Sequence, residues 1–318
     1  MIYNKTILYL MMVFAIMISG CEEEFIPGGE DIESQIVVEG YIEAGENALP
    51  VYVLLSRSFP FYNDIDNDRL NDLFVKGAVV TVTRSGGETV ELTELCLEEI
   101  PEPLREEVLA VLGIQTDTIS GLPDICAYVD LMNEVIADEG GTYDLKVEVE
   151  GRTITSTTTI PTHVPLDSVW FTPPPGEPAD SLAEMNCRIS DPGGIENYYR
   201  YLTAVNSRRL IPNLGSVTDD AFFDGQEFDF PLQKAEYITD TADLDFNTFG
   251  LWNRGDTATL KWCSIDKAHH DFWLTFEFNR NNQGPFSGYT RVDFNIDGGI
   301  GIWGGYSVSY YELIVPPE

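Results

Sequence analysis

Basic residues are scarce in this chain. Lys and Arg number 18 against 53 Asp and Glu in 318 residues, a formal net charge of −35. That balance argues against sequence-independent nucleic-acid binding, which neutralises phosphates with Lys and Arg. It equally argues against lying flat on anionic lipid. Histidine is scarcer still: His163, His269 and His270 are the full set. None has metal-ligand spacing to a cysteine, so no zinc site is expected. They also leave few centres for a Ser-His-Asp arrangement, and no GxSxG occurs. Long apolar runs are missing too. No segment after residue 20 approaches the ~20 apolar residues that a transmembrane helix needs.

What is present begins with an unusual junction. Lys5 is followed by an apolar run from Ile7 to Ile18 and then by Ser19-Gly20-Cys21. A short positive region, about a dozen apolar residues and small residues at the end make a secretory signal peptide. Ile18-Ser19-Gly20-Cys21 resembles the bacterial lipobox, whose cysteine is acylated (the palmitate-type anchor) and becomes the first mature residue. Several acyl chains give the stable anchoring that one chain cannot. Glu22-Glu23-Glu24 resembles the surface-export signal of Bacteroidota lipoproteins; a solvated linker is the plainer alternative. The expectation is a signal peptide over 1–20 and an acidic tether over 21–33. The protein would then be lipid-anchored in the outer membrane, facing the cell exterior.

With Cys21 acylated, Cys96, Cys126, Cys187 and Cys263 remain, in a compartment that permits disulfides. No CxxC occurs among them. Pairing within halves, Cys96 with Cys126 and Cys187 with Cys263, is expected because nearby segments of one domain meet more readily; free buried thiols are the alternative.

The whole chain is 43% hydrophobic and 12% aromatic, enough to build real cores. From Gln35 the text becomes β-type: "QIVVEGYIE", "LPVYVLLSRS", "GAVVTVTR", "GETVELTE", and a closing hairpin around Glu150-Gly151. Strands of this length and spacing predict an immunoglobulin- or fibronectin-like sandwich over 34–162. "PEPLREEVLAVLG" interrupts it with a short helix that carries Leu104, Val108 and Leu112 at helical spacing. Proline density rises around Pro161–Pro165, where a boundary is placed. The second β-rich domain, 163–318, contains one predicted helix at Asp266–Asn279, with Phe272, Trp273 and Phe276 on one face; a strand is the alternative reading of so aromatic a run. The fold class is mainly β.

Individual motifs carry little chemistry. Asp64, Asp66 and Asp68 open like a calcium loop, but Arg69 occupies the glycine position and Val75 the place of the bidentate Glu. Gly299, Gly301 and Gly304 spell GxGxxG, yet a strand-like segment follows where a nucleotide site needs a helix. Paired carboxylates are inevitable among 53 acids and point to nothing by themselves. No metal, cofactor or catalytic residue is expected. All five tryptophans, Trp170, Trp252, Trp262, Trp273 and Trp303, fall in the second half, where core packing is favoured over sugar or peptide platforms.

Six motifs occur in a familiar order: "VVEGYI", "GAVVTV", "GTYDLKV", "DPGGIENYYR", "FFDGQEF" and "GPFSGYTRVDFNIDGGIGIWGGY". Together they resemble the DUF4249 family of Bacteroidota outer-membrane lipoproteins across nearly all the mature chain. The family pattern Asn-Ile-x-Gly-Gly-x-Gly-x-Phe has Trp303 in place of Phe here. "DPGGIENYYR" also has an extra residue relative to the commoner family form. The resemblance implies no catalytic residues. It implies an accessory lipoprotein beside a TonB-dependent transporter, non-enzymatic, serving uptake of an unidentified nutrient. The rivals are a surface hydrolase or peptidase and an adhesion or matrix-assembly protein.

Overall fold

A computed structural model describes residues 34–59, 72–111, 125–176, 180–236, 245, 247–281 and 291–317. The chain is mainly β, as expected. The strands are β1 (Ile36–Gly45), β2 (Tyr52–Arg57), β3 (Val79–Arg84), β4 (Thr89–Glu91), β5 (Thr93–Cys96), β6 (Cys126–Val129), β7 (Thr142–Val149) and β8 (Arg152–Thr159). They continue as β9 (Leu166–Thr172), β10 (Leu182–Ser190), β11 (Tyr198–Val205), β12 (Ile211–Asp219), β13 (Glu227–Leu232), β14 (Trp252–Asn253), β15 (Thr257–Ile265) and β16 (Ile300–Ile314). Among the described residues the α-helices are α1 (Glu102–Val111) and α2 (Lys267–Asn281).

One eight-stranded sheet organises everything else, in the order β12-β11-β15-β16-β1-β2-β6-β5. Strands from both sides of Pro161–Pro165 share it. Its central pair is parallel: Val37 to Gly45 of β1 run in register with Ile300 to Val308 of β16. Its other neighbours are antiparallel.

Period-two alternation gives this sheet two apolar faces. On one face, Ile36, Val38 and Ile42 of β1, Val53 and Leu55 of β2 and Trp303 of β16 meet a four-stranded sheet, β4-β3-β7-β8, through Val80, Val82, Leu145, Val147 and Ile154. These two sheets face each other as a sandwich, but β11, β12, β15 and β16 from beyond Pro165 complete the larger one, so the sandwich is not confined to 34–162. Further along the same face, Tyr199, Tyr201, Leu260 and Trp262 meet a second small sheet in which β10 pairs with β9, β13 and β14, through Met185, Cys187, Ile189 and Trp252. The opposite face carries the helices. α2 covers Cys263, Ile265, Tyr306 and Val308 with Phe272, while α1 places Val108 and Leu109 against Leu54 and Leu95.

α2 begins where the sequence says it should. The Asp266 carboxylate accepts the His269 N–H at 2.8 Å, an N-cap, and its other oxygen accepts the Thr158 hydroxyl at 2.7 Å, fastening the helix to β8. Phe272, Trp273 and Phe276 are in mutual ring contact. In α1 the expected stripe is shifted: Leu104 is exposed, and Leu109 beside Val108 is the buried anchor. Leu112 lies outside the described residues.

The cysteine expectation divides. Cys96 and Cys126 stand opposite each other on β5 and β6 and form a disulfide. Cys187 and Cys263 do not pair; both are free and buried. The reason is alternation. On β15, Leu260 and Trp262 point to the core that contains Cys187, so Cys263 necessarily points to the α2 face. Burial pushes each thiol up to about 12.

Candidate functional site

Cys21 and Glu22, Glu23 and Glu24 lie outside the described residues, as do Asp64, Asp66 and Asp68. The remaining motifs resolve into four constellations.

The glycine-rich C-terminal block is a structural clasp. Trp303 pairs with Gly40 of β1 on one edge, but β15 begins pairing with β16 only at Tyr306. The Asn295 side chain fills the gap. Trp303 N–H donates to Asn295 Oδ1 at 2.9 Å, and Asn295 Nδ2 donates to the Trp303 carbonyl at 2.7 Å. An amide side chain thus substitutes for a neighbouring strand. Asp297 then bridges to Thr155 of β8 through both backbone groups, and Ser156 donates to the Asn295 carbonyl. Gly301 has φ +119°, and a Cβ there would sit 2.0 Å from the Val38 carbonyl oxygen, so only glycine fits. The GxGxxG spacing therefore serves backbone packing inside β16.

A buried polar network lies on the α2 face. Lys261 Nζ reaches Glu43 Oε2 at 2.7 Å, and the Tyr306 hydroxyl donates to the same oxygen at 2.8 Å. Tyr310 adds a 3.3 Å bond to Oε1. Burial alone would lower the Lys261 ammonium, but Glu43 beside it raises it overall. His269 sits near Tyr41 and Tyr306, its ring against Gly304. Burial, then the Arg200 charge, holds it well below the usual histidine range. His270 packs on Tyr198 and contacts Asp271. These histidines are core residues. His163 meets Ser309 through Nε2 at 2.5 Å, and its buried Nδ1 has no hydrogen-bond partner among the described residues. Trp252, Trp262 and Trp303 are fully buried, which places them in cores instead of on a binding platform.

"DPGGIENYYR" and "FFDGQEF" meet at a second location. A Cβ on Gly193 would lie 3.1 Å from the Gly225 Cα, so the two loops touch through their glycines. Asp191, Asp220 and Asp224 consequently bring carboxylate oxygens within 4.8 Å of one another. Hard oxygen donors of this kind suit a calcium-like cation. They already accept hydrogen bonds: Asp191 from the Tyr199 hydroxyl, Asp220 from the Asn197 N–H and Asp224 from the Gly194 N–H. Phe222, at the tip of this loop, is 91% exposed.

The fourth constellation is a cleft of about 340 Å³ where the β11–β12 turn meets the segment after β13 and the β14–β15 turn. Asn206 and Ser207 build the turn with φ values of +51° and +59°, and Arg208 and Arg209 follow directly. Lys234 lines the facing wall. Sequence reading passed over these residues, although an Arg-Arg pair in so acidic a chain was the available signal.

The architecture of the described residues defines the class: a β protein built on one large mixed sheet, backed by two smaller sheets on one face and two helices on the other. The chain belongs to the family described as domain of unknown function (DUF4249), whose model matches residues 22–312. Comparison with curated proteins gave no match.

Proposed function

We propose that this protein is a Bacteroidota outer-membrane lipoprotein, acylated on Cys21 and displayed on the cell exterior through its acidic tether. It serves there as a non-enzymatic accessory of a TonB-dependent transporter in nutrient uptake. The observation that carries this reading is the run Ile18-Ser19-Gly20-Cys21-Glu22-Glu23-Glu24, which joins a signal peptide to an acidic leash. Family membership supports it, and so does a body rich in sheet that offers a polar cleft. A charge of −35 suits a body held off an anionic membrane surface.

The test is a mild-detergent pull-down of the C-terminally tagged lipoprotein from outer membranes, with bound proteins identified by mass spectrometry. A stoichiometric β-barrel transporter is the expected result. Recovery of the lipoprotein alone would overturn the partnership. Cys21→Ala is expected to abolish acylation, and replacing Glu22, Glu23 and Glu24 by alanine to leave the protein facing the periplasm. Protease shaving of intact cells that is unchanged by the second variant would refute the export signal.

A further inference from the structure

We infer that the cleft beside the β11–β12 turn is a binding site for a small organic or inorganic anion, a carboxylate- or phosphate-bearing molecule of monosaccharide size or less. The inference rests on the cleft alone and stands whether or not the protein partners a transporter.

The chain carries about three acids for every base, so a cleft lined at random would be negative. Among the described residues, this one is lined by Arg208, Arg209 and Lys234 against two acids, Glu236 and Asp256. Both acids are already engaged. Asp256 accepts amide hydrogens from Asn206 at 2.7 Å and from Asn253 at 3.2 Å. Glu236 is 3.2 Å from the Lys234 ammonium and accepts the Gly250 N–H. Arg208, by contrast, is exposed at the mouth and has no ion-pair partner among the described residues. Its planar fork matches a carboxylate or phosphate in two-point geometry. Lys234 keeps further N–H groups after its contact with Glu236.

Long-range repulsion does not forbid an anion here. At physiological ionic strength, charges beyond about 8 Å are largely screened, so the local cations decide. A volume of about 340 Å³ lies at the small end of ligand sites. The walls also include Val205 and Ile211, a modest apolar surface for a carbon skeleton.

The experiment is titration calorimetry on the mature protein purified in detergent at physiological salt, with galacturonate, inorganic phosphate and neutral galactose as probes. Saturable binding of either anion, but not of galactose, is expected. The two anion arms separate a carboxylate from a phosphate preference. Arg208→Ala should weaken binding about tenfold or more, and Arg208→Glu should abolish it. Because Arg208 is an exposed turn residue, thermal melts of both variants should match the parent. Absence of anion binding at millimolar concentration, equal binding of galactose, or affinity unchanged in both variants would overturn the inference.

Discussion

Replacing Asn295 with alanine tests the clasp at the heart of the large sheet. The substitution removes two hydrogen bonds at once, from the Trp303 N–H and to the Trp303 carbonyl. Trp303 itself is fully buried, with its indole N–H donating to the Tyr143 carbonyl at 3.0 Å, so its backbone has little access to water as a substitute. A buried group left without a partner costs about 1–3 kcal/mol. Two such groups predict a loss of about 3 kcal/mol, or about 6–12 °C in Tm by the usual scaling for large domains. Asn295→Asp keeps an acceptor for the N–H but sets a carboxylate against the carbonyl, so it should recover none of the second bond. The assay is a circular-dichroism melt of parent and variants in the same detergent. A Tm within about 1 °C of the parent for Asn295→Ala would refute the idea that an amide side chain stands in for a strand.

Three further predictions follow from burial and topology. Cys96→Ser opens a loop of sequence separation 30 and should cost about 3–4 kcal/mol, read as a lower urea midpoint that reductant reproduces in the parent but not in the variant. Lys261→Met strands the Glu43 carboxylate in a dry site and should cost about 3–5 kcal/mol, whereas pairing it with Glu43→Leu should restore most of the loss; a double variant no more stable than the single one would contradict this. His269 is held neutral in the fold, its pKa lowered by burial. Below pH ~6.5 the unfolded ring takes a proton that the folded ring refuses, so stability should fall by up to about 1.4 kcal/mol per pH unit of acidification. His269→Phe should flatten that slope, measured by urea melts between pH 7 and pH 5.

Much of the local structure was legible because it is written locally. Alternating runs such as "TYDLKVEV" became β7 with every second residue buried, and the run Asp266–Asn279, open to helix or strand by its aromatics, became α2. The Cys96–Cys126 pair could be named because the two residues lie in neighbouring strands around one excursion. The sheet order could not. The β1–β16 pairing joins Val38 to Gly301, and no short-range signal specifies a partner so distant. Glu43 and Lys261 look like solvent-facing positions of amphipathic strands, and only a helix-covered second face turns them into a buried pair. The Cys187–Cys263 expectation failed on the same point, since a strand's two faces can belong to different cores. The anion cleft assembles from three separate turns, so its sole trace in the sequence was the Arg208-Arg209 pair.

The parallel pairing of β1 with β16 has a mechanical consequence. The chain enters the sheet at Ile36, so a load applied through the preceding residues reaches the body through β1. Against a grip elsewhere on the body, the bonds of β1 to β16, from Val37–Ile300 to Gly45–Val308, and to β2 on its other edge, are strained together in shear. They are not peeled apart one after another. A strand flanked on both sides in this way yields only when many bonds break at once, which makes β1 a force-bearing strand for any pull applied through the residues that precede it.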